Sequence, residues 1–75
     1  MVRFHIRVNN GDDNVTHKYY FVHKQWETLD EKEQEKQWDS AVKELNDIYQ
    51  RYGRFATQQG VISFFNEHKF ELTVL

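Results

Sequence analysis

The sequence predicts a small α+β domain. An N-terminal β-hairpin and a C-terminal strand form an antiparallel sheet, packed on one long and one short helix in the order β-β-α-α-β. Three observations lead there. Val2, Phe4, Ile6 and Val8 alternate with Arg3, His5 and Arg7; apolar residues from Trp38 to Tyr52 recur in steps of three and four; and alternation returns at Phe70, Leu72 and Val74. A period of two marks a half-buried strand, and a period near 3.6 marks a helix with one buried face.

The first strand ends at Asn9-Asn10-Gly11-Asp12-Asp13-Asn14, residues that favour turns and tolerate left-handed backbone. A second strand follows from about Val15 to Lys24, rich in β-branched and aromatic residues. Of its two faces, Val15, His17, Tyr19, Phe21 and His23 carry more apolar surface than Lys18, Tyr20, Val22 and Lys24. The first set is therefore assigned to the core, although a slip of one residue would reverse the faces.

Thr28-Leu29-Asp30-Glu31 fits a capping box, with Thr28 as the cap and Glu31 reaching back. Early acids suit the positive end of the helix dipole. The stripe Trp38, Ala41, Val42, Leu45, Ile48, Tyr49 and Tyr52 then defines the buried face, and Gly53 supplies a left-handed stop. Glu31 to Gln37 contain no apolar residue and are expected to project as a solvated extension. Thr57 is placed to cap a short second helix, with Val61, Phe64 and Phe65 on one buried face. Val61 to Phe65 would also suit a hairpin, because periodicity alone does not separate short apolar runs; the helix is preferred. The last strand alternates Phe70, Leu72 and Val74 with Lys69, Glu71 and Thr73.

The 75 residues make one domain, 1–75. So short a chain buries only about 60% of its unfolded surface, leaving little room for a deep substrate cavity. An aromatic content of 16% compensates, since each such ring buries roughly 150–250 Å². Cysteine is absent, which removes disulfides, thiolate metal sites and cysteine nucleophiles and favours a reducing, cytoplasmic setting. No apolar run approaches the ~20 residues of a membrane span, and the N-terminus lacks the apolar core of a signal peptide.

Catalytic and metal-binding patterns are missing. His17 and His23, the one tempting histidine pair, lie roughly 20 Å apart along a strand, too far to share an ion held by bonds of about 2 Å. Ser40 and Ser63 lack a nucleophile elbow. Gly11, Gly53 and Gly60 are isolated and build no phosphate loop. The carboxylates crowd onto an exposed helix, without the desolvated pocket that drives apart the pKa values of an acid–base pair. The expectation is a non-enzymatic protein with no cofactor and no metal.

Charge is segregated. Residues 1–26 hold four Lys/Arg against two acids, residues 27–50 three against eight, and residues 51–75 three against two. Two candidate surfaces follow. One is the acidic helix, with Glu31, Glu35 and Asp39 and with Trp26 just before it as an aromatic anchor. The other is the open sheet face, where Arg3, His5, Arg7, Lys18, Tyr20, Val22, Lys24 and Lys69 would lie with Glu71 and Thr73. Arg3, Arg7, Lys18, Tyr20 and Lys24 would there serve phosphate contact and base stacking. Trp26 has a structural reading as a plug between hairpin and helix. The carboxylates have one as an ordinary solvated face, and the basic face as edge protection against aggregation.

Size, aromatic density and the lack of cysteine or a catalytic constellation resemble small accessory proteins of phages and mobile elements, many of which inhibit or regulate a larger host protein. The expected function is a cytoplasmic protein-binding module; the alternative is a nucleic-acid-binding domain using the basic sheet face. So small a core also gains from pairing an edge strand with a second copy, so homodimerisation is a further expectation.

Overall fold

A computed structural model describes residues 1–9, 16–52 and 58–73. It contains strands β1 (Phe4–Asn9) and β2 (Thr16–His23), helices α1 (Glu31–Tyr52) and α2 (Gln58–Glu67), and strand β3 (Phe70–Thr73). The sheet order is β1-β2-β3, antiparallel throughout. The expected order β-β-α-α-β is therefore found, and the segment that could have been a hairpin is helix α2. The turn from Asn10 to Asn14, the Gly53 stop, the Thr57 cap and Val74 lie outside the described residues.

The register settles the faces. Phe4 pairs with Phe21, Ile6 with Tyr19, Val8 with His17, His23 with Phe70 and Phe21 with Leu72. These residues share the face covered by the helices, as expected for β2. Trp38 of α1 stacks on Phe4 (5.2 Å) and on Phe65 of α2 (4.5 Å), packs edge-to-face with Phe70 at 5.1 Å and lies tilted against Phe21 at 5.7 Å. One indole thus joins all three strands to both helices. Ala41 and Leu45 continue its buried stripe, with Val42 and Tyr49 half-buried beside it. Val61 and Phe65 are the buried residues of α2, with no exposure. Val22 is also buried, although it faces away from the helices and lies outside the main cluster. It sits on the central strand directly opposite Glu71.

Three local expectations are corrected. First, the N-terminal turns of α1 are packed. Gln34 is only 1% exposed; its Nε2 donates to Leu29 O at 2.7 Å and, more weakly, to Trp26 O at 3.5 Å. Second, Asp30 replaces Thr28 as the cap. Its Oδ1 accepts from Lys32 N at 3.4 Å, while Thr28 is held in a preceding turn by bonds to Gln25 O. Third, Lys69 leaves the sheet pattern. It adopts φ 71° in the turn between α2 and β3, a conformation that costs a non-glycine residue about 1–2 kcal/mol. The turn delivers Lys69 O to Lys24 N at 2.9 Å, which extends the β2–β3 ladder.

Candidate functional site

Glu31, Glu35 and Asp39 are four residues apart along α1, so they form one stripe. All three are exposed, and among the described residues no Lys or Arg pairs with them. The stripe borders the buried line Gln34, Trp38, Ala41 and Leu45 instead of standing opposite it. Directly opposite that line run Lys32, Lys36 and Lys43, all exposed. Trp26 lies in the turn against which Gln34 packs, and keeps 37% of its surface exposed. Its ring is not among the residues packed against the core.

The sheet face away from the helices is smaller and less basic than the alternation implied. The register sets Arg7 directly opposite Lys18 and His5 opposite Tyr20. Lys18 Nζ stands 5.4 Å from the centroid of the Tyr20 ring, within cation–π range. Arg3 is exposed just before β1. Lys24, however, has turned from this face onto α2, where its Nζ donates to Asn66 O at 2.9 Å, a favourable place for a cation at a helix C-terminus. Lys69 lines a cleft between α1 and the turn after α2. Arg7 and Lys18 remain as the permanent cations that the strand register places on the open face.

That cleft, of about 420 Å³, is lined by Glu33, Gln37, Ser40, Glu44, His68 and Lys69 among others. His68 stacks on Phe64 at 4.0 Å, and its Nδ1 and Nε2 lie 2.7 Å from Phe64 O and 3.1 Å from Glu44 Oε2. Both partners are acceptors, so a ring carrying both protons satisfies both contacts. The contact ties α1 to the end of α2.

Beside the cleft lies a polar relay that the apolar periodicity did not expose. His23 is fully buried. Its Nδ1 accepts from Gln25 N at 2.9 Å, so Nε2 carries the proton and donates to Gln37 Oε1 at 2.7 Å. Gln37 Nε2 in turn donates to Glu33 Oε1 at 3.4 Å. The relay binds the end of β2 to the first turns of α1. Its ring nitrogens are occupied by structural bonds, so His23 serves the fold. Among the described residues, no three His, Asp or Glu side chains gather as metal ligands would, and no helix is long and apolar enough to cross a membrane. Burial raises the pKa of Tyr49 above its ordinary value.

Comparison with protein-family models, curated proteins and solved structures found no match.

Proposed function

We propose that this domain is a non-enzymatic protein-binding module that works in a cytoplasm and inhibits or regulates a larger protein, in the manner of phage and mobile-element accessory proteins. It captures a basic surface of that protein with Glu31, Glu35 and Asp39, and Trp26 anchors the contact. The observation that carries this reading is the stripe itself: three exposed carboxylates in line, with no cation of the described chain engaging them. Exposed carboxylates attract a basic partner over about a Debye length, which speeds encounter and selects the partner's sign. A partly exposed Trp beside such a stripe supplies the apolar area that charge alone lacks.

The test is capture by the tagged domain of a protein from cell lysate, followed by affinity measurement on variants. Exchanging Glu31, Glu35 and Asp39 for Lys together should abolish capture. Trp26→Ala, at a hot spot worth about 2 kcal/mol or more, should weaken binding roughly 30-fold. Unchanged affinity in the folded triple variant would remove α1 from the contact.

Nucleic-acid binding is the second reading, favoured by one observation. Arg7 and Lys18 are directly opposite on the open face, with Tyr20 beneath the Lys18 ammonium. Like charges in that position are mutually destabilising, and a bound phosphate would relieve them. Such binding should fall steeply as salt rises, and should depend on Arg3, Arg7, Lys18 and Tyr20 more than on Lys24.

A further inference from the structure

We propose that the outer edge of β3 is a dimerisation edge, where two copies of the chain pair antiparallel about a two-fold axis through Leu72. The inference is independent of what the acidic stripe binds.

Strands β1 and β3 are the edges of the sheet. Lys24 N donates to Lys69 O, so Lys24 and Lys69 form a hydrogen-bonded pair of the ladder. Such pairs alternate with non-bonded ones. Val22–Glu71 and Tyr20–Thr73 therefore belong to the bonded class, and Phe70 and Leu72 direct their N–H and C=O groups away from β2. Neither has a backbone partner outside its own sheet among the described residues. Leu72 also lies on the helix-side face yet stays 45% exposed. Among the described residues, the edge thus offers an unpaired N–H, an unpaired C=O and a half-exposed apolar side chain on one residue.

Of the axes at Phe70, Glu71 and Leu72, the one at Leu72 suits a second copy. With the axis at Leu72, each Leu72 N–H donates to the other's C=O, and the two side chains meet on the helix side. On the open face Glu71 of each copy stands opposite Thr73 of the other, so no like charges are directly opposed. Moving the axis to Glu71 would set Glu71 against its own copy, which is disfavoured. Phe70 is the first residue of the strand, so an axis there would run half the ladder into the Lys69 turn. The β1 edge is guarded: an axis at Ile6 opposes His5 to Arg7, and an axis at Arg7 opposes Arg7 to itself. Cations on an edge are a common defence against pairing, and β3 between Phe70 and Thr73 has none. The product is an isologous dimer with a continuous six-stranded sheet and the helices of both copies on one side. Few backbone bonds and two leucines make a small interface, so the dimer is weak.

The test is sedimentation equilibrium of the full chain from about 10 µM to about 1 mM, with Leu72 and Thr73 variants in parallel. The mass should rise from 9.2 kDa toward its double. Leu72→Lys should hold the monomer mass throughout, with an unchanged circular dichroism spectrum because the side chain is half exposed. Thr73→Lys, opposite Glu71 of the second copy, should tighten the dimer, and Thr73→Glu should loosen it. A chain without native cysteine also makes Leu72→Cys a clean probe, expected to form a disulfide dimer on mild oxidation where His5→Cys does not. A constant monomer mass in the unmodified chain overturns the proposal. So does a dimer that survives Leu72→Lys, or one that crosslinks through His5→Cys.

Discussion

Removing the Gln37 side chain should cost stability only while His23 is present. The His23 ring is fully buried, meets the edge of Phe70 at 5.0 Å, and makes bonds of 2.9 and 2.7 Å to Gln25 N and Gln37 Oε1. A net hydrogen bond is worth about 1 kcal/mol, and an orphaned buried donor costs about 1–3 kcal/mol. Gln37→Ala leaves His23 Nε2–H without its acceptor, so about 1–2 kcal/mol should be lost. His23→Ala loses two bonds and the burial of a ring, for about 3–5 kcal/mol. In the His23→Ala background, Gln37→Ala should cost less than about 0.5 kcal/mol, leaving a coupling of about 1 kcal/mol. A chain of 75 residues has roughly 4–11 kcal/mol in total, so urea unfolding followed by circular dichroism resolves each step. Equal costs for Gln37→Ala in the two backgrounds, or no cost in either, would refute the relay.

Three further outcomes are expected. Trp38→Ala should cost about 3–5 kcal/mol, seen as a thermal midpoint at least about 12 °C lower; a fall of under about 4 °C would contradict its place at the centre of the core. Asp30→Ala should destabilise by about 0.5–1 kcal/mol and Thr28→Ala by less, as measured by urea unfolding; the reverse order would return the cap to Thr28. Burial raises the pKa of Tyr49, so its contribution is fully present below the ordinary tyrosine value of about 10. As pH rises further the unfolded chain loses the phenolic proton first, and stability falls. Comparing alkaline unfolding of the parent chain and Tyr49→Phe should show a shallower fall in the variant, and identical slopes would contradict the shift.

Some of this was legible in residue pattern. The alternation of β1 and the core face of β2 could be read because one side of each strand carries Phe4, Val8 and Phe21, all buried. The buried face of helix α1 was legible from Trp38 to Leu45 and misread before it and at Ile48, which is 38% exposed. Gln34 and Gln37 occupy the same helical face as Trp38, Ala41 and Leu45, but a search for apolar periodicity does not register a glutamine that is buried through hydrogen bonds. The visible signal was positional: two amides continuing an apolar stripe backwards at helical spacing. The cap was misread because Thr28 with Glu31 fits the capping-box spacing. The turn that collects Thr28 N and Leu29 N on Gln25 O moves the helix start to Asp30. Lys24 and Lys69 were placed on the open face by extending strand alternation past the strand ends. Alternation holds only while the backbone stays extended. It ends after His23 and has not begun at Lys69, whose φ is positive. Glu31, Glu35 and Asp39 lie inside one continuous helix, where spacing alone sets them on one exposed stripe.

The most direct measurement of the central claim is capture of partners from cell lysate by the tagged domain, split into nuclease-treated and untreated halves. The triple Glu31, Glu35 and Asp39 to Lys variant is run beside it. The account predicts one protein retained in both halves by the parent domain and lost from the variant. Capture that disappears with nuclease, or that survives the three reversals, would contradict it.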